Sequence, residues 1–556
     1  MIHLAAVAVL IQISPLTRLP LDGTVSVCLI VEASVLAFVI GRTARLPHRE
    51  FSSRLARYSL FFIVPVAATG VMVVSSLVGR SGTAWAMGND SAFNVMSARI
   101  LFADGGVNSR LHFDGSPEPH TLLTIVAGTG RWNVGSWQLF EHDVSAYAQL
   151  WFLLIITTSV LSALVAAQVM PSGTLRWFAV LAANAVALVP LTLFVSGYAV
   201  RFGFFNATLS LVILLCAWLV SRSDSVSPAI RLSLLGFASL ALLATWGPLV
   251  VLPVALGLHP LWQLMCQVRH EGATGLRKLI LPGAVIVVNI LYVALVTVAD
   301  LISAQSALAN DGGIFWMSPY LAVGVVGLTL CLLAVTGRFQ KSWSGFIDGL
   351  AATLGGVVAT AFLVFQRRDQ ANLWGYYPIK FSWLLVTLFG IVSLAIILSL
   401  ISRLTRRVIV VAGVGVAGLV VIVGAVAISP VMRERALDAF PLLSFAGIPS
   451  ANPGDYAAKV MFQNKEDGVN TIAVNALTPE EDAFINLWLV QMEPTLNSLD
   501  VRVFAYGIDG NNTAQVCRAI SAMTPPVRVL TTEAGLQERL AHECPGADVE
   551  IVAPTL

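Results

Sequence analysis

Long apolar runs are the feature that most constrains this chain. A run of about 20 apolar residues forms a helix long enough to cross the hydrocarbon core of a bilayer. Charged residues make up only 12% of the 556 residues and the mean hydropathy is +0.81, too little polarity to cover a soluble protein of this size. We therefore predict a polytopic α-helical membrane protein with about thirteen spans. The predicted spans are residues 2–14, 24–41, 58–79, 149–170, 177–199, 203–220, 230–244, 246–265, 279–299, 319–337, 347–366, 381–402 and 408–429.

One apolar stretch is too long for a single span. It runs from Arg231 to Trp262, well beyond the roughly 20 residues that one crossing needs. The sequence from Thr245 to Pro248 interrupts it, because proline lacks a backbone donor and clashes with the preceding helical turn. The sequence therefore predicts two spans that reverse direction at this point.

Basic residues indicate how the chain is oriented, since cytoplasmic loops of membrane proteins are enriched in Lys and Arg. With the break at 245–248, four basic clusters fall on one side, which we assign to the cytoplasm. Loop 80–148 and the tail after residue 430 then face outward. The clusters are Arg42, Arg45, Arg49, Arg54 and Arg57; Arg269, Arg277 and Lys278; Arg338 and Lys341; and Arg403, Arg406 and Arg407.

The chain divides into three predicted parts. Residues 1–430 form the transmembrane domain, 431–470 a linker, and 471–556 a soluble domain. The net charge of +2 and the lack of a basic run give no indication of a nucleic-acid partner. The Ala-, Val- and Gly-rich composition is typical of a bacterial protein. We expect a multi-pass protein of the bacterial cytoplasmic membrane, surrounded by membrane lipid.

The outer loop 80–148 contains an acid close to a span end. Asp90 precedes a stretch from Ser91 to Ala103 in which Phe93, Met96 and Ile100 share one helical face. We expect an amphipathic helix along the outer surface, with Asp90 at or next to its N-cap. Capping is a common role of aspartate. Catalysis is the alternative.

A second outer loop carries cations and aromatic residues. Arg367, Arg368 and Lys380 flank it, and Tyr376 and Tyr377 lie before the last of these. Cations at span ends extend toward lipid headgroups, and tyrosines form interfacial belts. The alternative is that this group binds a lipid-linked phosphate, which lies at the same depth.

These stretches resemble a known family. The outer loop contains WAMGNDSAFNVMSARILFADGG, and residues 375–383 read GYYPIKFSW. Together they resemble GT-C membrane glycosyltransferases, in particular actinobacterial arabinofuranosyltransferases, with a similar organisation over roughly residues 58–402. The resemblance implies transfer of a sugar from a polyprenyl-phosphate donor to a cell-envelope glycan acceptor on the outer side of the membrane.

The resemblance also implies residue roles. Asp90 would be the general base on the acceptor hydroxyl, with its basicity raised by desolvation at the membrane surface. Lys380, with Arg367 or Arg368, would stabilise the phosphate leaving group, and Tyr376 and Tyr377 would contact phosphate or sugar. Many members have two adjacent acids where this chain has Asn89-Asp90, which leaves the need for a divalent cation open.

Other residues of the outer loop are secondary candidates. Arg99 would either pair with an acid or reach the donor phosphate. His120, Glu141 and His142 would contribute to an acceptor or metal site, or be solvated surface residues, as most outer-loop histidines are. No Cys/His spacing indicates a metal centre. The acids that would supply a second carboxylate are Asp104, Glu118, Glu141 and Asp143.

The tail alternates between predicted strands and helices, which indicates a small parallel α/β domain. Strands are expected at 471–474, 501–506, 527–530 and 549–552, and Thr478-Pro479 marks a helix start. The strand ends carry Asn475, Gly507, Asp509 and Thr531. We interpret it as an accessory domain that holds acceptor, contacts a partner or covers the active site. Cys517 and Cys544 would form a disulfide in an oxidising compartment.

Two other functions compete with glycosyl transfer. A lipid-linked glycan transporter or flippase would place charged residues within its spans and often show internal repeats. An O-antigen-type polymerase or ligase would share the large outer loop. Most spans read as plainly apolar and the acids lie in outer loops, which favours surface chemistry.

Overall fold

The structure is a computed structural model. The residues that it describes are 1–17, 59–78, 83–88, 90–104, 117–128, 130–135, 138–171, 174–303, 307–310, 312–340, 342–403, 460–461, 463–464, 466, 468–492, 508–546 and 548–555. The predicted spans 24–41 and 408–429, most of the predicted linker 431–470, and the predicted strand 501–506 lie outside these residues.

Helices dominate the part of the chain before residue 404. Apolar side chains that face one another across neighbouring helices form a continuous core through this part. In chain order the helices are α1 (Ile2–Thr17), α2 (Ile63–Leu77), α3 (Ser91–Asp104), α4 (Pro117–Gly128), α5 (Leu139–Val169), α6 (Arg176–Leu188), α7 (Tyr198–Phe202), α8 (Phe205–Ser221), α9 (Pro228–Trp246), α10 (Val251–Leu256), α11 (Leu258–Glu271), α12 (Ala273–Leu276), α13 (Ile280–Tyr292), α14 (Val298–Ser303), α15 (Pro319–Gln340), α16 (Ser344–Gln366) and α17 (Tyr376–Ile401).

Within the described ranges, eight helical segments are long and apolar enough to cross a membrane. The chain is therefore a polytopic helical membrane protein. The eight are Leu60–Leu77, Leu139–Val169, Arg176–Phe202, Pro228–Glu271, Arg277–Ile302, Pro319–Phe339, Ser344–Gln366 and Tyr376–Ile401, with Ile2–Gln12 and Phe205–Ser221 as shorter apolar helices.

The segment Pro228–Glu271 bends where the sequence predicts a break. Its 44 residues would extend about 66 Å as one straight helix, far more than a bilayer. Trp246 has extended backbone angles (φ −161°, ψ 94°), and a 3₁₀ turn, Gly247–Val250, follows it. Both α10 and α11 pack back against α9. The reversal at 245–248 is present in the structure.

The helix after Asp90 has the predicted position but not the predicted surroundings. α3 spans Ser91–Asp104, one residue beyond the predicted end. Nearly every side chain from Ser91 to Leu101 is buried, because α4, α5 and the C-terminal region pack around the helix. The expectation of an amphipathic helix on the outer surface was therefore wrong.

The described C-terminal residues form a parallel sheet of three strands in the order β1 (Asn470–Ala473), β2 (Val527–Leu530), β3 (Val549–Val552). The helices between the strands are α18 (Pro479–Leu489), α19 (Thr513–Ser521) and α20 (Leu536–Glu543). A capping box explains the start of α18, since Thr478 accepts from the backbone N–H of Glu481 and the Glu481 carboxylate accepts from that of Thr478.

The sheet packs on α3. Met96, Ile100 and Leu101 of α3 share one apolar cluster with Ile472 and Val529 of the sheet. A second contact is polar, because the buried Gln491 side chain donates to the carbonyl of Ala92 at 2.9 Å. The C-terminal region thus covers the helix that begins at Asp90.

Candidate functional site

Asp90 is held by a tight backbone contact with the turn between α7 and α8. Its N–H donates to the carbonyl of Phe202 at 3.4 Å. Gly203, at φ +68°, ends α7, and a Cβ there would lie 2.7 Å from the Asp90 nitrogen and 2.5 Å from the Ser91 nitrogen. Only glycine fits this position, because both the left-handed backbone and the close approach exclude a side chain.

The Asp90 side chain meets α17. The carboxylate is exposed, and its Oδ2 accepts a hydrogen bond from the Tyr376 hydroxyl at 3.4 Å. The backbone carbonyl of Asp90 accepts from Asn94 in the first turn of α3, so the residue also begins the helix. The side chain is exposed at the protein surface, so burial within the fold does not desolvate the Asp90 carboxylate.

Lys380 lies on the other side of the same tyrosine. α17 begins at Tyr376, five residues before the predicted span, so Lys380 lies in the first turns of a helix rather than in a loop. Its ammonium is 4.1 Å from the Phe204 ring centre, 5.5 Å from that of Tyr376 and 5.6 Å from that of Trp246. It also donates to Asn206 Oδ1 at 3.1 Å.

The side chain of Lys380 is only 4% exposed. Cation–π contacts and one hydrogen bond therefore replace water around its charge. The break after α9 contributes to this cage, because it leaves Trp246 at the helix end. We name the group of Asp90, Phe204, Trp246, Tyr376 and Lys380 the Asp90 end.

A buried polar network lies beneath Asp90. The Asn94 amide nitrogen donates to the Tyr147 hydroxyl at 3.1 Å and to the Gly203 carbonyl at 3.1 Å. Tyr147 donates in turn to Ser91 Oγ at 3.2 Å, and Asn94 Oδ1 lies 3.0 Å from His120 Nε2. His120 is buried, so its interpretation as a solvated surface residue was wrong. The network fixes the start of α3 from below.

Of the two arginines near α17, one is internal and one is exposed. The buried guanidinium of Arg367 donates to the carbonyls of Ala309, Asn310 and Asn372 at 2.7–3.0 Å. These contacts join two loops, and a Cβ on Gly375 would overlap the guanidinium. Arg367 thus positions the start of α17 instead of reaching a phosphate.

Arg368 differs, with a side chain 56% exposed, packed over Phe365 and 3.6 Å from the Asp369 carboxylate. Tyr377 packs edge-on against Tyr376, with ring centres 4.8 Å apart. Both lie at the membrane end that carries Asp90.

Arg99 is buried in an ion-paired group. Its Nε lies 3.3 Å from Asp143 Oδ2, and Arg131 donates to Asp143 Oδ1 at 2.6 Å. Arg99 also donates to the backbone carbonyl of Gln491 in the C-terminal region. Two roles were expected for Arg99, and the structure shows the pairing with an acid. The phosphate-binding role was wrong, because Asp143 already pairs with the Arg99 guanidinium.

The remaining loop candidates are dispersed. His142 Nε2 lies 2.8 Å from the Ala127 carbonyl, and Glu141 is exposed at the start of α5. Asp104 ends α3, and its side chain lies outside the described residues. Across the described ranges, no three His, Cys, Asp or Glu side chains are grouped to hold a metal ion.

Glu118 is the buried acid of this region. Its side chain is fully buried in the first turn of α4, and neither carboxylate oxygen has a hydrogen-bond partner among the described residues. Burial raises its pKa well above the usual value. The buried site therefore disfavours the charged form of Glu118.

A second polar cluster lies at the opposite ends of α8 and α9. His259 Nδ1 is 3.2 Å from Asp348 Oδ1, and Gln263 Nε2 is 3.0 Å from His259 Nε2. An amide nitrogen can only donate, so His259 accepts through Nε2 and donates through Nδ1–H to Asp348.

Two arginines complete this cluster. Arg231 donates to Gln263 Oε1, and Arg222 lies 3.6 Å from Asp348 Oδ2. We name the five residues Arg222, Arg231, His259, Gln263 and Asp348 the Asp348 end. These helices are exceptions to the expectation that most spans are plainly apolar. Sequence reasoning missed the cluster because its members are single polar residues in separate segments, and the only signal was the presence of His259 and Asp348 inside or beside apolar runs.

Two features of the C-terminal region complete the picture. Where the strands end, Asn475 and Arg539 both donate to Glu533 Oε2 at 2.8 Å, so internal contacts occupy part of the edge expected to bind ligands. Cys517 and Cys544 form a disulfide with Cα atoms 5.7 Å apart.

Comparison with known proteins adds no further constraint on this geometry. No known protein family, curated protein or solved structure matches the chain.

Proposed function

We propose that this protein is a membrane glycosyltransferase of the GT-C type. It transfers a sugar from a polyprenyl-phosphate donor to a cell-envelope glycan acceptor on the outer side of a bacterial cytoplasmic membrane. The observation that carries the proposal is the hydrogen bond from Tyr376 to Asp90, beside the ammonium of Lys380. Residues almost 300 positions apart thereby place a carboxylate and a cation around one tyrosine at the membrane surface.

Asp90 has the properties of a general base for the acceptor hydroxyl. Inverting transfer needs a carboxylate that removes the hydroxyl proton as the anomeric carbon is attacked. The Asp90 carboxylate is exposed to an incoming acceptor, while its backbone is fixed by Phe202 and its side chain by Tyr376. A carboxylate held in this way loses little freedom when the acceptor binds.

The leaving phosphate requires positive charge. Arg368 is the exposed cation at this membrane end and is the residue we assign to direct contact. Lys380 is enclosed by three rings, so it acts through its field and by positioning Tyr376. Arg367 supports both by holding the loop before α17.

The disulfide supports an outward location for the C-terminal region. Structural disulfides persist in oxidising compartments and are rare in the cytosol. The same region packs on α3, so the Asp90 end would lie on the same side of the membrane. The charge bias of the loops gives the same orientation. We propose about thirteen spans with the C-terminal α/β domain outside the cytoplasm.

The test is transfer by purified protein from a radiolabelled polyprenyl-phosphate sugar to a short glycan acceptor. Asp90→Asn keeps the shape and removes the base, so we expect the rate to fall by about 10²-fold or more. Glu538→Gln is the matched control, since Glu538 is an exposed acid on α20, in a different part of the chain, and we expect it to stay within about twofold. Full activity of Asp90→Asn would remove Asp90 as base, and no transfer by the wild type from any polyprenyl donor would reject the proposal.

A lipid-linked glycan transporter is the second candidate, because of the Asp348 end. Ionisable residues buried within membrane helices usually mark transport or proton pathways. His259, Asp348 and Arg222 form such a group. Uptake of a fluorescent lipid-linked sugar into proteoliposomes discriminates the two. Translocation that Asp90→Asn leaves intact and Asp348→Asn abolishes would favour the transporter.

A further inference from the structure

A cavity of about 690 Å³ adjoins the Asp348 end, on the membrane face away from Asp90. One wall is the turn that precedes α9, from Asp224 to Pro228, and the opposite wall is α11. The polar groups between them include Arg231, Gln263 and Gln267. We infer that this cavity is a second binding site, which takes the phosphate group of an anionic lipid.

Arg231 supplies the deepest charge. Its side chain is 4% exposed, and the guanidinium donates to the Ser221 carbonyl at 3.2 Å and to Gln263. Its buried Nε has no hydrogen-bond partner among the described residues. A buried guanidinium with an unused donor is costly unless an acceptor reaches it, and a phosphate oxygen is the acceptor that matches its geometry.

Lys278 supplies a second, adjustable charge at the rim. Its ammonium pairs with Glu271 at 2.7 Å, and the Lys278 side chain is 44% exposed. Such a surface pair is worth little, so the ammonium can turn to an incoming anion at small cost. The positive N-terminal end of α9 adds to the same field, because Pro228 begins that helix at the cavity wall.

The lipid nature of the ligand follows from the outer face of α11. Leu258, Trp262 and Met265 lie on one side of that helix and are exposed, as expected of a face that meets acyl chains. Trp262 also lines the cavity. A headgroup in the cavity would therefore have its acyl chains beside an apolar surface, and a tryptophan lies at the boundary, where this residue is enriched.

Asp224 is the one acid among the described residues that line the cavity, and it allows a test in which binding becomes stronger instead of weaker. Its carboxylate lies 3.7 Å from Arg231 and is 84% exposed. It competes with any anion for that guanidinium. Removal of this acid should therefore strengthen binding, whereas removal of a cation should weaken it.

The experiment is native mass spectrometry of the purified full chain in detergent, titrated with dioctanoyl phosphatidic acid, dioctanoyl phosphatidylcholine or inorganic phosphate. We expect phosphatidic acid to bind most tightly. Arg231→Gln should weaken it by about tenfold or more, and Lys278→Gln by about threefold, in line with the loss of charge-assisted hydrogen bonds. Asp224→Asn should strengthen the binding of phosphatidic acid by about threefold, because it removes the negative charge that competes with the phosphate for Arg231.

Arg277→Gln is the matched control, because Arg277 precedes Lys278 and does not line the cavity. Its affinity should stay within about twofold of the wild type, since it removes the same charge outside the site. Because Lys278 and Asp224 lie at the rim, their variants test the site even if Arg231→Gln fails to fold. Equal binding by the wild type, Lys278→Gln and Asp224→Asn would overturn the site, and so would an equal loss in Arg277→Gln. Inorganic phosphate that binds as tightly as phosphatidic acid would overturn the lipid assignment.

Discussion

α8 and α9 connect two charged regions that are built in different ways. α8 has 17 residues, so its ends lie about 25 Å apart. At the Asp90 end, three aromatic rings and an amide enclose one ammonium, and the acid beside it is exposed. At the Asp348 end, the acid is buried between a histidine and an arginine, and a cavity adjoins the group.

The two ends stabilise buried charge in different ways. Aromatic faces stabilise a cation without an opposite charge of their own, so three rings help to hold the Lys380 ammonium beside Tyr376. Ion pairing instead cancels the charge of Asp348, so that end depends on its partners for stability. We therefore expect substitutions at the Asp348 end to act mainly on folding and those at the Asp90 end mainly on chemistry.

The largest stability loss should come from Asp348→Asn. It leaves Arg222 without its buried counter-charge and the His259 Nδ1–H without its carboxylate acceptor, and breaking a buried pair in this way costs about 3–5 kcal/mol. Asp224→Asn, at the same membrane face but exposed, should change the free energy of unfolding by about 0–1 kcal/mol. Equilibrium unfolding in mixed micelles measures both. Similar small losses in the two variants would show that the Asp348 end is not held by its ion pairs.

The sequence predicted the Asp90 end better than the Asp348 end, for a physical reason. Tyr376 and Lys380 lie four residues apart, and Asp90 lies at a span end, so each has a local signal. The reversal at 245–248 could be predicted because Pro248 disrupts the helical turn that precedes it, which is a local effect. His259 and Asp348 lie 89 positions apart and meet only through the packing of α11 on α16. Each is a polar residue in or beside an apolar run, and that local signal does not identify its partner.

Burial was the quantity that sequence patterns predicted least well. The periodicity of α3 indicated one apolar face, but the polar Asn94, Ser97 and Arg99 are buried as well. The partners of Asn94 and Arg99, among them Tyr147, Asp143 and Gln491, lie on other elements, including the C-terminal region. No pattern within loop 80–148 could show that this region covers the helix.

A smaller stability loss, confined to the Asp90 end, is expected for Gly203→Ala. A left-handed alanine costs about 1–2 kcal/mol, and the contact with the backbone of Asp90 and Ser91 adds about 1–3 kcal/mol as overpacking. Gly130→Ala is the control, because Gly130 has φ +78° but nothing within 4 Å of its Cβ position. Gly130→Ala therefore measures only the cost of placing alanine in a left-handed backbone conformation. Thermal unfolding and the transfer assay should show a greater loss for Gly203→Ala, and equal losses would mean that the close approach does not hold Asp90.

Glu118 extends the contrast between the two ends to pH, because it is a buried acid on the Asp90 side of the bundle. Its folded-state pKa is raised, so between the ordinary value and the raised value the folded chain keeps a proton that the unfolded chain has lost. Stability therefore falls as pH rises through that window, by up to about 1.4 kcal/mol per pH unit. Glu118→Gln should reduce this slope by the share that Glu118 contributes, whereas Glu141→Gln, at an exposed acid of the same loop, should keep it. Unfolding midpoints between pH 4 and 7 test this, and an unchanged slope in Glu118→Gln would assign the pH dependence to another group.

The smallest effect on stability is expected for Lys380→Met, and it separates the two ends most clearly. Methionine fills the aromatic cage without the charge, so the loss of cation–π contacts and one hydrogen bond should cost about 1–2 kcal/mol, offset in part because no cation has to be desolvated. Transfer should nevertheless fall by about tenfold or more, because the field that acts on Tyr376 and the leaving phosphate is gone. Arg403→Met, at the other end of α17 and packed over Phe339, should leave transfer within about twofold. If Lys380→Met is stable and keeps full transfer, the charge of Lys380 has no part in the reaction and the aromatic cage serves only packing. Arg368 would then be the cation that stabilises the leaving phosphate.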